Sequence, residues 1–94
     1  MVTKRYIVVA YDIADDERRN RVSGILAMYG WRVNKSVFEC FLKDSDIEEL
    51  KKNIASQIKK NEDIVLYYYL CRDCMRKIER VGKHPSGPQT VELI

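Results

Sequence analysis

Acidic and basic side chains gather directly after the first apolar segment of the chain. Asp12 ends the apolar segment 6–11. Three more acids and three arginines follow closely: Asp15, Asp16, Glu17, Arg18, Arg19 and Arg21. A carboxylate at the end of a rigid strand is well placed to bind a divalent cation, and arginines one helical turn away are suited to phosphate. The pattern indicates either chemistry on a phosphodiester or an ordinary junction between a strand and a helix.

Asp12 therefore has two interpretations. Magnesium takes one or two carboxylates together with water and substrate phosphate, so two copies of Asp12 facing each other across a dimer axis would suffice as its protein ligands. The ion would polarise a phosphate and lower the pKa of an attacking water. Alternatively, Asp12 caps the turn or helix that follows, which is a common role for acids at such positions. Residue type and position alone slightly favour the cap.

Three arginines are candidate phosphate ligands: Arg19, Arg21 and Arg32. Ordinary helix-surface arginines paired with Asp16 or Glu17 would give a similar pattern. The residue types alone leave both interpretations open.

Two aromatic residues near this cluster are expected to pack first of all. Tyr11 could also orient the site through its hydroxyl group. Phe38 could instead form a dimer contact or stack on a base, although core packing is the favoured role.

Cys71 and Cys74 have the spacing of zinc ligands, but they supply only two of the four that zinc requires. Cys40 falls in a predicted strand and His84 in a loop, so neither completes a site. We interpret the pair as a local turn with reduced thiols. The single histidine and the lack of a glycine-rich phosphate loop exclude a histidine-based triad and a Walker-type nucleotide site.

Hydrophobic periodicity predicts the elements that position these residues. In chain order they are a strand at 5–11, a helix at 15–29, two strands within 31–42, a helix at 45–60 and a strand at 63–70. A possible fifth strand at 77–81 and a terminal strand at 90–94, separated by the irregular segment 82–88, complete the prediction.

Local signals predict where several of these elements begin and end. Asp15 is the expected N-cap of the first helix, and Gly30 its left-handed stop. A turn is expected near Asn34 and Lys35, and a capping box of Ser45 with Glu48 should start the second helix. On the first helix Arg18 lies in line with the apolar stripe.

The element order is βαββαβ, which predicts a single ferredoxin-like α+β domain over residues 1–94 with a C-terminal β extension. Helices would cover one sheet face, yet the strands are apolar on both faces. A homodimer that packs sheet against sheet would bury the second face. The linker and strand at 82–94 would then pack on the partner subunit.

Composition agrees with a globular protein, since 46% of the 94 residues are hydrophobic and 33% are charged. The formal net charge of +3 permits nucleic-acid binding without requiring it. No apolar run is long enough for a membrane span, and no signal-peptide layout is present. Three cysteines suit a reducing compartment, so we expect a cytoplasmic protein without a membrane partner.

An ordered set of motifs resembles one known family over nearly the whole chain. The motifs are Tyr11-Asp12-Ile13, the acid-rich turn, Arg19-Asn20-Arg21-Val22, Gly30 and Ser36-Val37-Phe38-Glu39. They resemble the CRISPR-associated Cas2 family, and the resemblance extends through the tyrosine-rich fourth strand and the segment 71–82.

The resemblance implies a ferredoxin-like homodimer that acts as a metal-dependent endonuclease, with Mg²⁺ or Mn²⁺, on single-stranded RNA or double-stranded DNA. It also implies a DNA-holding role beside the integrase Cas1 in the spacer-acquisition complex, where nuclease activity can be dispensable. Residue by residue, it assigns the metal-binding aspartate to Asp12 and the functional tyrosine to Tyr11. The functional arginines fall on Arg19, Arg21 and Arg32, and a conspicuous phenylalanine falls on Phe38.

Other functions remain open on the sequence. The chain could be a non-catalytic DNA-binding scaffold for the integrase, or a toxin-like ribonuclease of the VapD kind. A ferredoxin-like regulatory module that binds a metabolite is less favoured, because the expected glycine-rich ligand loop is absent. The preference for RNA or DNA does not follow from the residues.

Overall fold

The computed structural model describes residues 3–82, which form one antiparallel sheet and three helices. In chain order the elements are β1 (Lys4–Asp12), α1 (Asp16–Ala27), β2 (Gly30–Asn34), β3 (Val37–Lys43), α2 (Asp44–Ala55), β4 (Ile64–Leu70) and α3 (Arg72–Arg76). The strand order across the sheet is β2-β3-β1-β4, and every neighbouring pair is antiparallel. The predicted βαββαβ order and ferredoxin-like fold class are therefore confirmed.

The hydrophobic core lies between the sheet and helices α1 and α2. Central strand β1 supplies Ile7, Val9 and Tyr11 to this face, because alternate residues of a strand point the same way. The remaining core residues are Ile13, Val22, Leu26, Phe38, Cys40, Ile47, Leu50 and Ile54. Burying a large apolar side chain contributes roughly 1.5–3 kcal/mol, so these contacts fix the end of β1 in place.

The opposite sheet face, which we call the outer face, is not covered by α1 or α2. Pairing between β1 and β4 places apolar residues there, five of which we call the outer apolar patch: Val8, Ala10, Ile64, Leu66 and Tyr68. On β4 the relative exposures are 51% for Ile64, 42% for Leu66 and 51% for Tyr68. The expectation of apolar residues on both sheet faces is correct for these two strands.

The first helix starts where predicted and ends earlier. Asp15 is its N-cap, and the carboxylate accepts a hydrogen bond from the Arg18 backbone N–H at 2.9 Å. The predicted left-handed role of Gly30 is wrong, because Gly30 is extended within β2 and the only glycine with positive φ among residues 3–82 is Gly82. A Cβ atom at Gly30 would lie 2.1 Å from the carbonyl oxygen of Glu39. Glycine is needed there for close strand approach.

The second helix differs from its prediction at both ends. It begins at Asp44, and its N-cap, Lys43, makes no side-chain capping hydrogen bond, so the predicted capping box of Ser45 and Glu48 is wrong. It ends at Ala55.

Residues 56–60, which were predicted to be helical, lie beyond the end of α2 and lead into a turn. The Asp63 carboxylate accepts a hydrogen bond from the Lys59 backbone N–H at 2.9 Å, and the Asp63 N–H donates to the Lys59 carbonyl at 2.8 Å. These two bonds reverse the chain and direct it into β4.

The predicted strand at 77–81 is also wrong. The chain instead forms the short helix α3, capped by the Cys71 sulfur, and then continues without strand pairing as far as the structure describes it. Directly after α3 the chain is still turned, because the Ile78 N–H donates to the Met75 carbonyl at 3.2 Å. The predicted segments 83–88 and 90–94 lie outside the described residues. Within residues 3–82, no helix combines the length and hydropathy needed to cross a membrane.

Candidate active site

Asp12 is the last residue of β1 and is exposed on the outer face. It lies opposite Ile64 of β4, and thus on the same face as the outer apolar patch. No hydrogen bond or ion pair within residues 3–82 engages its carboxylate. The interpretation of Asp12 as a helix cap is therefore wrong, because Asp15 fills that role.

Tyr11 points to the opposite side of the sheet from Asp12 and is 5% exposed. Its hydroxyl donates to the Lys35 carbonyl oxygen at 3.3 Å, and its backbone N–H donates to the Ser36 carbonyl at 3.1 Å. Its ring stacks on Phe38 with the centroids 6.4 Å apart. Tyr11 thus anchors the β2–β3 turn beside Asp12.

Arg32 joins the same turn from β2. One guanidinium nitrogen, Nη1, donates to the Lys35 carbonyl oxygen at 2.5 Å, and the guanidinium carbon lies 4.9 Å from the centre of the Phe38 ring. Arg32 itself is exposed, whereas Phe38 is 1% exposed. In this conformation Phe38 is a packing residue, and its ring supports Arg32 from within the core.

Arg19 holds the connection between β1 and α1. Its Nη1 donates to the carbonyl oxygens of Ile13 and Ala14 at 2.9 and 3.2 Å, and its Nη2 is paired with the Asp16 carboxylate. The alternative of an arginine paired with Asp16 is therefore observed. Arg21 is exposed, and its charge helps to lower the pKa of Asp15 after the larger effect of the backbone hydrogen bond from Arg18.

Arg18 makes a buried ion pair that the sequence analysis missed. Its Nε and Nη2 donate to the two carboxylate oxygens of Asp63 at 2.8 and 3.0 Å, and Nη2 also reaches Glu62 at 3.2 Å. These bonds, with the backbone bond from Lys59, hold the pKa of Asp63 below its usual value. The signal was the position of Arg18 in line with the apolar stripe, which required a buried partner.

A second missed cluster lies on the outer face. The Tyr6 hydroxyl donates to the Glu39 carboxylate, and Arg80 donates to the same carboxylate at 2.6 and 3.3 Å. Burial and the neighbouring Glu39 carboxylate raise the pKa of Tyr6, while the Glu39 carboxylate raises the pKa of Arg80. No short-range pattern indicates this contact. The cluster fixes the segment after α3 against one end of the outer face.

The candidate site is therefore one end of the sheet. The Asp12 carboxylate lies on the outer face, and Arg19 bonds to the β1–α1 connection that follows it. Arg32 and Tyr11 contact the Lys35 carbonyl from the helical side of the sheet. No group of three or more His, Cys, Asp or Glu residues suited to a metal ion occurs within the described part of the chain. One protomer thus brings the Asp12 carboxylate to the outer face at this edge, next to the Arg19–Asp16 pair of the β1–α1 connection.

Comparison with known proteins decides the family. The family model for CRISPR associated protein Cas2 matches residues 5–78. The chain belongs to the Cas2 family. It is 38% identical over 78 residues to the CRISPR-associated endoribonuclease Cas2 3 of Synechocystis, which covers 83% of this chain and 85% of that protein.

Solved structures agree with this assignment. The crystal structure of Streptococcus pyogenes Cas2 superposes with a TM-score of 0.73 at 27% identity, covering 82% of this chain and 99% of the other. A chain from a structure described as a partial Cas6-RT-Cas1–Cas2 complex gives a TM-score of 0.71 at 28% identity, covering 82% and 90%. The fold and family expected from the sequence are thus confirmed.

Proposed function

We propose that this Cas2 chain is a metal-dependent endonuclease that works as a homodimer on single-stranded RNA, double-stranded DNA or both. We further propose that the dimer holds DNA for a Cas1 integrase during spacer acquisition. Relatives named as endoribonucleases and endonucleases support the nuclease activity. The similarity to a chain of a Cas1–Cas2 complex supports the integrase partner.

The position of Asp12 carries the nuclease proposal. Asp12 and the outer apolar patch occupy the same sheet face. A two-fold dimer that buried the patch would therefore bring both sheet faces together with their Asp12 residues pointing towards the shared interface. The two carboxylates would meet at its edge, with Arg19 at the adjoining β1–α1 connection of each protomer, whereas Arg32 lies beside Phe38 on the helical face of the sheet.

The donor chemistry of Asp12 fits a hard divalent cation such as Mg²⁺ or Mn²⁺. Carboxylate oxygens are the preferred ligands, and two Asp12 copies with water and substrate phosphate would satisfy the usual coordination of magnesium. When bound, the ion would supply Lewis-acid polarisation of the phosphate and a more acidic water. Without it the paired carboxylates would repel each other.

The protein's own residues would orient the substrate. Tyr11 fixes the β2–β3 turn through the Lys35 carbonyl, and the exposed Arg32 of β2 donates to the same carbonyl. Arg21 is exposed on α1 and can contact a phosphate, while Arg19 must exchange its pairing with Asp16 to do so. Arginine suits this role because its planar donors match phosphate oxygens.

Replacing Asp12 tests the nuclease assignment. We expect Asp12→Asn to lower the metal-dependent cleavage rate more than about 100-fold, since losing even supporting contacts to a metal costs 10–100-fold. Cleavage of labelled RNA and of duplex DNA should be measured with Mg²⁺, with Mn²⁺ and with EDTA. Asp44→Asn, at the opposite end of the sheet, is the matched control and should retain activity. Wild-type rates in Asp12→Asn would refute the proposed metal ligand.

A non-catalytic role in holding DNA is the second candidate, and the similarity to a chain of the Cas1–Cas2 complex favours it. Duplex binding that survives Asp12→Asn and EDTA would support this role independently of cleavage.

Arg21→Ala tests the phosphate contact. We expect weaker duplex binding and a log affinity–log salt slope reduced by about 1 for each protomer that makes the contact. Fluorescence anisotropy at several salt concentrations measures both quantities, with Lys52→Ala on the exposed side of α2 as control. An unchanged slope would exclude Arg21 from the interface.

A further inference from the structure

Two exposed cysteines lie next to each other at the junction between β4 and α3. The Sγ atoms of Cys71 and Cys74 are 3.2 Å apart, within hydrogen-bond contact, and both cysteines are free. The Cys74 backbone N–H also donates to the Cys71 sulfur at 3.3 Å. Neither the proposed cleavage nor the core uses these thiols. A disulfide bond is about 2.05 Å long, so the two sulfurs lie roughly 1 Å beyond bonding distance.

The two sulfurs differ chemically from the third thiol of the chain. Hydrogen bonding with the Cys74 side chain, together with the bond donated by the Cys74 backbone N–H, lowers the pKa of Cys71. Burial, with a contribution from Glu39, raises the pKa of Cys40 to about 12. Because the thiolate is the reactive form, Cys71 is suited to react and Cys40 is not.

We propose that Cys71 and Cys74 are a redox-active pair that converts reversibly into an intramolecular disulfide by exchange with a low-molecular-weight disulfide. A metal site is the competing use of this spacing, but zinc requires four ligands. Within residues 3–82 no third His, Cys, Asp or Glu joins the pair in a suitable group. The geometry therefore favours a bond between the sulfurs over a shared ion.

The exchange proceeds in two balanced steps. The Cys71 thiolate attacks one sulfur of the external disulfide, its S–S bond breaks, and the departing thiolate takes a proton from water. Cys74 then loses its proton, and its thiolate attacks the Cys71 sulfur in the mixed disulfide, which releases the second external thiol. In total the pair loses two electrons and two protons, and one external disulfide is reduced to two thiols.

Oxidation by glutathione disulfide tests this pair. Intact protein is incubated in glutathione buffers of increasing oxidised fraction, quenched with acid and examined by mass spectrometry after alkylation and digestion. We expect a reversible Cys71–Cys74 disulfide with no lasting glutathione adduct, and Cys40 should stay reduced. Cys74→Ser should instead accumulate a glutathione adduct on Cys71. Cys40→Ser is the matched control and should form the disulfide as the wild type does.

Alkylation rates supply a second measurement that does not depend on forming the bond. At neutral pH, iodoacetamide should modify Cys71 in the folded protein at least about tenfold faster than Cys40. The inference is overturned if the wild type accumulates only glutathione adducts, or if the pair resists oxidation. It is also overturned if purified protein retains Zn²⁺ that Cys71→Ser removes. Each of these results leaves the nuclease proposal untouched, because Asp12 is not involved.

Discussion

Arg18 and Asp63 form a buried ion pair between the start of α1 and the turn that leads into β4. Their side chains are 11% and 0% exposed, respectively, so both charges are largely removed from water. Such a pair stabilises the fold little relative to apolar residues, but removing one partner leaves the other charge uncompensated. The bidentate geometry makes Arg18 a structural residue, unlike the exposed Arg21.

Loss of the Arg18 guanidinium should strongly destabilise the protein. We expect Arg18→Met to lower Tm by about 10 °C or more at pH 7, measured by circular dichroism. Arg5→Met, which breaks the exposed pair with Asp44, is the control and should change Tm little. If the two substitutions lowered Tm equally, the Arg18–Asp63 pair would not have the stabilising role that its burial predicts.

The same pair predicts a pH dependence. The folded pKa of Asp63 lies below its unfolded value, near 3.9 for an ordinary Asp. The contribution of Asp63 to the free energy of unfolding is therefore fully present above about pH 4 and is lost as the pH falls through the folded pKa. The Tm difference between wild type and Arg18→Met should shrink on acidification from pH 5 to pH 3. A constant difference would mean that Asp63 does not carry the effect.

Any side chain larger than hydrogen at Gly30 of β2 would overlap β3. The space for a Cβ atom is occupied by the Glu39 backbone, at 2.1 Å from its carbonyl oxygen, and by the Cys40 sulfur, at 2.6 Å. Backbone cannot move aside without breaking the strand pairing. Because β2 also carries Arg32, the glycine contributes to the geometry of the candidate site.

Two glycine-to-alanine substitutions should have opposite effects. Gly30→Ala should destabilise the protein markedly, because the new methyl group overlaps the Glu39 carbonyl. Gly24→Ala lies within α1 with nothing within 4 Å of the new Cβ, so it should stabilise the protein by roughly 0.5–1 kcal/mol. Urea unfolding of both variants measures the difference. A neutral Gly30→Ala would show that the strands can separate there.

The whole molecule presents one sheet face to the helices and leaves part of the other apolar and exposed. Exposed apolar surface concentrated on one face typically marks an interaction site. The Arg80 cluster covers one end of the outer face, and Asp12 lies at the other end, opposite Ile64 of the patch. If a second copy of the chain covered this patch, it would bring the two Asp12 carboxylates together.

Substitution within the outer apolar patch should disrupt the proposed homodimer. We expect Leu66→Asp and Tyr68→Glu each to shift the mass measured by size-exclusion chromatography with light scattering from dimer towards monomer. Met28→Asp introduces the same charge at a side chain that is 81% exposed on the helical side, and should leave the dimer intact. Monomeric wild-type protein at micromolar concentration would contradict the shared-site arrangement.

Local sequence signals were sufficient wherever the physical cause was local. The alternation of β1 predicted a strand with apolar residues on both faces, and Asp15 was recognised as an N-cap because capping involves residues three positions apart. The position of Asp12 at the end of that strand followed directly. At Gly30 and in the segment 77–81 the local signals were overridden by distant parts of the chain, namely the Glu39 and Cys40 neighbours of Gly30 and the pairing of Arg80 with Glu39. The capping box at Ser45 is absent because the helix begins one residue earlier, at Asp44.

The sequence by itself determined the order of elements, the faces that they bury and the end of the sheet where the acidic and basic residues gather. Periodicity is a property of neighbouring residues, so it can be read without the fold. Tertiary structure alone decided the partners of the buried charges. Arg18 meets Asp63 from 45 positions away, and Arg80 meets Glu39 from 41. Which distant polar groups become neighbours depends on how the helices and strands pack, because a buried charge must find a partner there.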